Sequence, residues 1–315
     1  MDVPEPISRR SALAVGYTDH ELKGHAWQRV RRGHYVDSAA AAPLTPAQRH
    51  LVAIRAVIST ASPEAVVSHV SAAIVHDIPI WATPLTRVHV LRDRRTGGRI
   101  HRHLAVHTAR LLPGDHTEVD GIRVTTAPRT VIDLARTLPF EQAVVIGDAA
   151  LRSGKTTGAE LLDQLIRVTG RKGCPAARRV VDFLDGRSES VGESRSRVQL
   201  LRSGLSAPEL QAIIFADTGT RTIRVDYLWP DLALVGEFDG MIKYHKEIRG
   251  DRTPEEVVIA EKLREDALRA LGLRVIRWTW SDLDTPTTWF ARLHAAATHP
   301  HDPLAPTLWR PTPRI

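Results

Sequence analysis

Apolar positions recur at helical spacing over residues 46–59, where Ala47, Leu51, Ile54 and Ile58 share one face, and this predicts an amphipathic helix. Upstream, Ser8 to Val15 reads as a short helix stopped by Gly16. Thr18, with Glu21 three residues on, forms a capping box that predicts a second helix over Asp19 to Ala26. Trp27 to Val30 and His34 to Val36 read as two short strands around Arg31-Arg32-Gly33. Further on, Thr86 to Leu91 and Ile100 to His107 read as strands, and helices are predicted from a Thr126 cap through Arg136, then over 140–152, 157–169 and 175–185. His101, His103 and His107 fall on one face of the second strand. Strand neighbours two apart lie about 6.5–7 Å from each other, too far to share one ion easily, so the expectation is a solvated basic face.

The second half opens on a helix from Ser190 that ends at Gly204. Its most informative stretch is Ile223 to Tyr244, where two apolar runs flank the turn Trp229-Pro230-Asp231 and are interrupted by Asp226, Glu237 and Asp239. Burying an unpaired carboxylate costs several kcal/mol or more, roughly, so three in one hairpin point to a metal or a shared basic partner. A loop at 230–233 pairs Trp229 with Leu234 and sets Asp226 opposite Glu237, with Cβ atoms about 4.5–5.5 Å apart. That spacing suits one hard divalent cation, Mg²⁺ or Mn²⁺, completed by waters. The alternative is a polar face paired to Arg224 or Arg264. Thr253-Pro254-Glu255-Glu256 then starts a helix that stops at Gly272, with Ile259, Leu263, Ala267 and Ala270 as its apolar face. Arg274 to Trp280 reads as a strand and Asp284 to Ala297 as a last helix.

Composition narrows the classes. The chain has 315 residues, 43% of them hydrophobic, enough for two cores of α/β type, α+β overall. The longest apolar runs are far short of a membrane span. A net charge of +7 and a pI near 10.0 suit a polyanionic partner such as nucleic acid. The one cysteine, Cys174, rules out disulfides within the chain and a cysteine-based zinc site, which fits a reducing cytoplasm. Ser8-Arg9-Arg10 has the look of a twin-arginine export signal, but the apolar stretch after it is too short for one.

Helix, turn, helix and basic hairpin is the order of a winged helix-turn-helix, and Arg29, Arg31 and Arg32 on the wing are placed to meet phosphate. The segments G-Y-T-D-H-E-L and R-V-R-R-G-H-Y-V, followed by V-V-S-H-V-S-A-A-I-V-H-D-I-P and D-G-I-R-V-T-T-A-P-R-T-V-I-D-L-A-R, resemble the AbiEi-like antitoxins of type IV toxin–antitoxin systems over roughly residues 8–170. The resemblance implies a DNA-binding winged module and a cognate toxin, or a second copy of the chain, as partner. This module is shorter than a full winged helix of three helices.

Residues 190–283 resemble the Vsr-like family, named after the very-short-patch-repair endonuclease, within the PD-(D/E)XK nucleases. The matching pieces are E-S-R-S-R, R-V-D-Y-L-W-P, L-V-G-E-F-D-G, E-K-L-R-E-D-A-L and G-L-R-V-I-R-W-T-W. The resemblance implies a restriction-endonuclease-like fold, Asp226 and Glu237 as metal ligands, and Glu193 as an accessory ligand or water-orienting carboxylate. By position alone, Glu193 also suits the capping box of Ser190. The signature lysine would stand two residues after Glu237, where this chain has Asp239. Lys243, Lys262 and Arg264 are the candidate replacement cations, and Arg264 is also a candidate nucleic-acid contact. The expected organisation is a winged module over 1–40, an AbiEi-like α+β region over 41–173, a nuclease-fold domain over 174–300 and a tail over 301–315. The expected activity is Mg²⁺-dependent DNA cleavage, in phage defence or repair. The alternative is an antitoxin-like regulator whose nuclease-fold domain is silent.

Overall fold

In a computed structural model, residues 3–94, 96–216, 221–240 and 254–314 are described. The chain is of α/β class and forms two compact units, Met1–Leu184 and Asp185–Ile315.

The first unit begins with β1 (Ile7–Ser8), α1 (Arg9–Ala14), β2 (Trp27–Arg31) and β3 (His34–Asp37), whose strands form a small antiparallel sheet in the order β1-β3-β2. α2 (Ser38–Ala41) and α3 (Pro46–Ile58) follow. Next come β4 (Val66–Val67), α4 (His69–Val75), β5 (Val88–Arg92), β6 (Arg99–Ile100), β7 (Leu104–Thr108), β8 (His116–Val119) and β9 (Ile122–Thr125). These strands make a mixed sheet in the order β6-β7-β5-β4-β9-β8. α5 (Ala127–Ala135), α6 (Phe140–Arg152), α7 (Gly158–Arg167) and α8 (Cys174–Phe183) complete the unit. Leu51 and Ile54 of α3 are buried in a core with Val67, Val90 and Val124, as the helical periodicity predicts.

The structure corrects four expectations here. The second helix of the winged module is only a 3₁₀ turn, Glu21–Lys23. The Thr18–Glu21 box does form, but extended Gly24 ends the helix after one turn. Ile100 to His107 is not one strand: β6 and β7 run antiparallel to each other, so His101 and His103 lie exposed in the connection and His107 turns the other way. Arg31 does not stand free on the wing, because its Nη1 donates to Ala56 O (3.2 Å) and Thr60 Oγ1 (3.4 Å) at the end of α3. Finally, the unit ends after Leu184 rather than near 173. α8 packs on α5, α6 and α7, and Gly173 at its start has φ +83° with Arg136 O where a Cβ would be, 2.3 Å away.

The second unit contains α9 (Val191–Ser203), β10 (Glu209–Ala216), β11 (Arg221–Trp229), β12 (Leu234–Phe238), α10 (Pro254–Ala270), β13 (Arg274–Trp278), α11 (Trp280–Asp284), α12 (Pro286–Thr298) and β14 (Trp309–Arg310). The sheet order is β13-β12-β11-β10-β14, with β12 and β13 parallel and the other pairs antiparallel. β10 was not foreseen, so three strands rather than two precede α10. The segment 301–315 is no loose tail, since β14 extends the sheet and Arg187 Nη1 donates to Thr312 O at 3.1 Å. One face of the sheet packs Tyr227, Trp229, Trp278, Trp289 and Leu293. The other packs Ile214, Val225, Val235 and Leu268.

The apolar face foreseen on α10 is also corrected. Ile259 and Leu263 are 58% and 56% exposed, while Leu268 is buried. The inward row is Glu261, Arg264, Glu265 and Leu268, the i, i+3, i+4, i+7 stripe of a helix with ion pairs where apolar residues were expected.

Candidate active site

The site is built where strands β10 and β11 swap faces beside β12. The ladder joins Trp229 to Leu234 and Tyr227 to Gly236, which is the register expected, and it ends there, one residue short of the expected Asp226–Glu237 pair. On β10, Leu210 pairs with Tyr227 and Ala212 with Val225. Strict alternation would put Leu210 and Ala212 on one face. Instead Leu210 packs with Tyr227 and Trp229, and Ala212 packs with Val225 and Ile223 on the opposite side. The residue between them, Gln211, has φ +52°, a left-handed conformation that is costly for a side chain of this kind. Both strands therefore swap faces at Gln211 and Asp226, and this turns a glutamine and a carboxylate into the same corner.

Four side chains meet there. Asp226 Oδ2 accepts from Phe238 N at 2.9 Å, and the Gln211 amide donates toward the same carboxylate. Gln211 Nε2 also donates to Glu193 Oε2 at 2.9 Å. Glu193 accepts from Ser190 Oγ (2.8 Å) and Glu189 N (2.8 Å) as well, so it closes the N-terminus of α9 and holds Gln211 at once. Close approach of α9 to β12 depends on Gly192, where a Cβ would lie 1.9 Å from the Phe238 ring. Burial pushes the Glu193 carboxyl up to about 7, reinforced by the charge of Asp226. Burial also raises Asp226, with Glu237 adding to the rise.

Glu237 is handled differently. Its Oε2 accepts from Arg277 Nε at 3.0 Å, and Arg264 Nη2 stands 2.5 Å from Oε1. Arg264 also donates to Arg224 O (2.9 Å) and Glu261 (3.3 Å), so the guanidinium paired with Oε1 is tied to α10 and β11 at once. Arg277 continues to Glu265 (2.8 Å) and Glu261 (2.5 Å).

The residues singled out in the sequence fall into four groups. Asp226, Glu237, Glu193 and Arg264 come together. Asp239 is exposed just past the end of β12, with its N–H bonded to Trp278 O at 2.8 Å, and Lys262 is exposed on α10. Lys243 lies outside the described residues. Arg29 and Arg32 are exposed on the hairpin of the first unit. Sequence reasoning missed Gln211 and Arg277. The signals were a lone glutamine inside the apolar run L-Q-A-I-I-F-A and an arginine at the centre of R-V-I-R-W.

The donor set fits a hard divalent cation held by Asp226 and Glu237. Asp226 is met by neutral hydrogen-bond donors and both residues offer oxygen ligands, while Glu237 is also ion-paired to Arg264 and Arg277. Among the described residues the three carboxylates do not converge within 4.8 Å as a set.

The chain matches no family model. Two proteins of Mycobacterium tuberculosis, one from each of two strains and both described as uncharacterised, are 36% identical to it over 155 residues, 49% of this chain and 54% of each relative. The chain thus spans about half the length of the curated relatives it matches.

Proposed function

We propose that the chain is a DNA-binding protein whose second unit hydrolyses phosphodiester bonds with Mg²⁺ or Mn²⁺ held by Asp226 and Glu237. The observation that carries this reading is the face swap at Gln211, which spends backbone strain to gather Gln211, Asp226 and Glu193 beside Glu237. A bound Mg²⁺ or Mn²⁺ would supply Lewis-acid polarisation of the phosphate and a more acidic water. Gln211, fixed by Glu193, orients the ligand Asp226. Arg277 and Arg264 take the role expected of the lysine two residues after Glu237, since both already stand against that carboxylate. Their charge would stabilise negative charge growing on phosphorus-bound oxygens as a water oxygen bonds phosphorus and one ester oxygen leaves with a proton. Exposed Arg29 and Arg32 would add phosphate contacts.

One observation favours a second reading, an antitoxin-like DNA-binding regulator with a silent nuclease-fold unit. Glu237 already faces two guanidinium groups, which compete with a metal for its oxygens. Nicking of supercoiled plasmid in Mg²⁺ or Mn²⁺, with DNA binding followed by gel shift, separates the two. Metal-dependent nicking that disappears in Glu237→Ala supports the enzyme. Retained binding without cleavage on any DNA form selects the regulator, and loss of binding as well removes both.

A further inference from the structure

The first unit holds a second cluster of ligand-type side chains, unconnected with the carboxylates. His69 opens α4, His89 lies on β5, and His107 lies on β7, the strand parallel to β5. One ring nitrogen from each lies within 4.8 Å of the other two, and among the described residues this is the sole His, Cys, Asp or Glu trio to converge so closely. His89 Nδ1 and His107 Nε2 are 3.0 Å apart. The His69 and His107 rings stack with centroids 3.8 Å apart.

Zn–N bonds of about 2.0–2.1 Å in a tetrahedral shell put ligand nitrogens about 3.3 Å from one another. The His89–His107 separation is close to this, and a His69 ring nitrogen lies within 4.8 Å of both. A single N–H···N hydrogen bond would account for the His89–His107 pair but not for the third ring. His69 has φ +52°, a left-handed backbone at a non-glycine residue, and this strain is what brings its ring over His107. His69 Nδ1 is 3.0 Å from Ser68 Oγ, and Ser71 Oγ binds both His89 N and His50 Nε2 at 2.8 Å. With Nδ1–H donating to Ser68, the His69 Nε2 lone pair is left for a metal, the second-sphere arrangement that fixes a ligating tautomer. His69 is buried, and His89 and His107 are half-buried beside it. Asp133 adds negative charge toward His107. Arg129 and Arg136 oppose it at His69, but both are ion-paired to that same aspartate.

We propose that His69, His89 and His107 form a binding site for a first-row divalent metal, Zn²⁺ by preference, with three imidazole ligands and an exchangeable fourth. Three neutral nitrogens suit Zn²⁺ and its spectroscopic substitute Co²⁺, and they suit Mg²⁺ poorly. The test uses the full chain stripped by chelator, with Zn²⁺ and Co²⁺ as probes, in the wild type and in Asp226→Asn, which weakens the carboxylate site. Both forms should take up one equivalent at the histidine site, Co²⁺ should give the visible bands of a tetrahedral nitrogen site, and Zn²⁺ should raise the unfolding temperature. His69→Gln and His107→Gln, each checked for folding by circular dichroism, should weaken binding at least tenfold. Absence of both Zn²⁺ stabilisation and the Co²⁺ bands in the wild type overturns the site whatever the variants do. Uptake that persists in folded His69→Gln and His107→Gln overturns it as well. DNA cleavage plays no part in the readout, so the nuclease reading can fail without touching this one.

Discussion

Each unit buries carboxylates, and the two treat them in opposite ways. In the first, Asp115 and Asp133 are joined by Arg129, whose Nη1 and Nε lie 2.6 and 2.8 Å from them, and all three side chains are essentially sealed from solvent. Arg136 adds a second cation to Asp133 at 3.1 Å, and Arg167 one to Asp115 at 3.4 Å. Positive charge is in excess there. In the second unit, among the described residues, Glu237, Glu261 and Glu265 pair with Arg264, Arg277 and the more exposed Arg269. Among the described residues no lysine or arginine pairs with Asp226 or Glu193, and both are pushed up by burial. A matched network such as the first holds a fold together. Carboxylates buried on neutral donors, as Asp226 and Glu193 are, cost stability instead.

The largest effect expected from this contrast is on Arg129. Arg129→Met leaves two buried carboxylates short of their shared cation and should destabilise the first unit by about 3–5 kcal/mol in denaturant unfolding. A change below 1 kcal/mol would put the two networks on an equal footing and erase the contrast.

Next comes the pH dependence of the second unit. Glu193 rises from an ordinary value of 4.5 to about 7 on folding. Its folded form therefore prefers the proton, so the stability it adds is full below pH 4.5 and is lost as pH climbs through 7. The loss is on the order of 3 kcal/mol at most. Unfolding followed from pH 5 to pH 8 without divalent ions should show this decline, and Glu193→Gln should flatten it. A slope identical in the variant assigns the dependence elsewhere.

These two networks also show what the sequence made legible. Helix positions were readable from apolar periodicity in α3 and from cap and stop signals in α6 and α9. The hairpin register followed from turn length as far as Tyr227–Gly236, and the face swap at Asp226 ends it before the expected Asp226–Glu237 pair. β10 was passed over because its face swap at Gln211 breaks the period of two on which strand recognition rests. The α10 face was misread because its inward stripe is made of ion pairs, and periodicity counts only apolar residues. The His69–His89–His107 cluster draws on three separate elements, and no spacing within one strand could reveal it. In each case the physical exception sits at a candidate site.

Smaller effects sharpen the comparison. Gly192→Ala drives a methyl into the Phe238 ring and should cost about 1–3 kcal/mol by overpacking, with loss of whatever activity depends on the α9–β12 contact. Unchanged stability would mean that α9 is not tightly seated. On the hairpin, Arg29→Ala and Arg32→Ala should each lower the slope of log binding constant against log salt by about one. Arg31→Ala should leave that slope alone and cost about 1 kcal/mol of stability through its lost bonds to Ala56 and Thr60. Equal salt effects from all three arginines would contradict the anchored role of Arg31.

The central claim is that Asp226 and Glu237 hold a divalent cation which the surrounding charge leaves room for. Isothermal titration of the chelator-treated full chain with Mn²⁺ tests it most directly. The account predicts one Mn²⁺ site that is lost in Asp226→Asn and kept in His107→Gln. A chain that takes up no Mn²⁺, or takes it up equally well in Asp226→Asn, would contradict it.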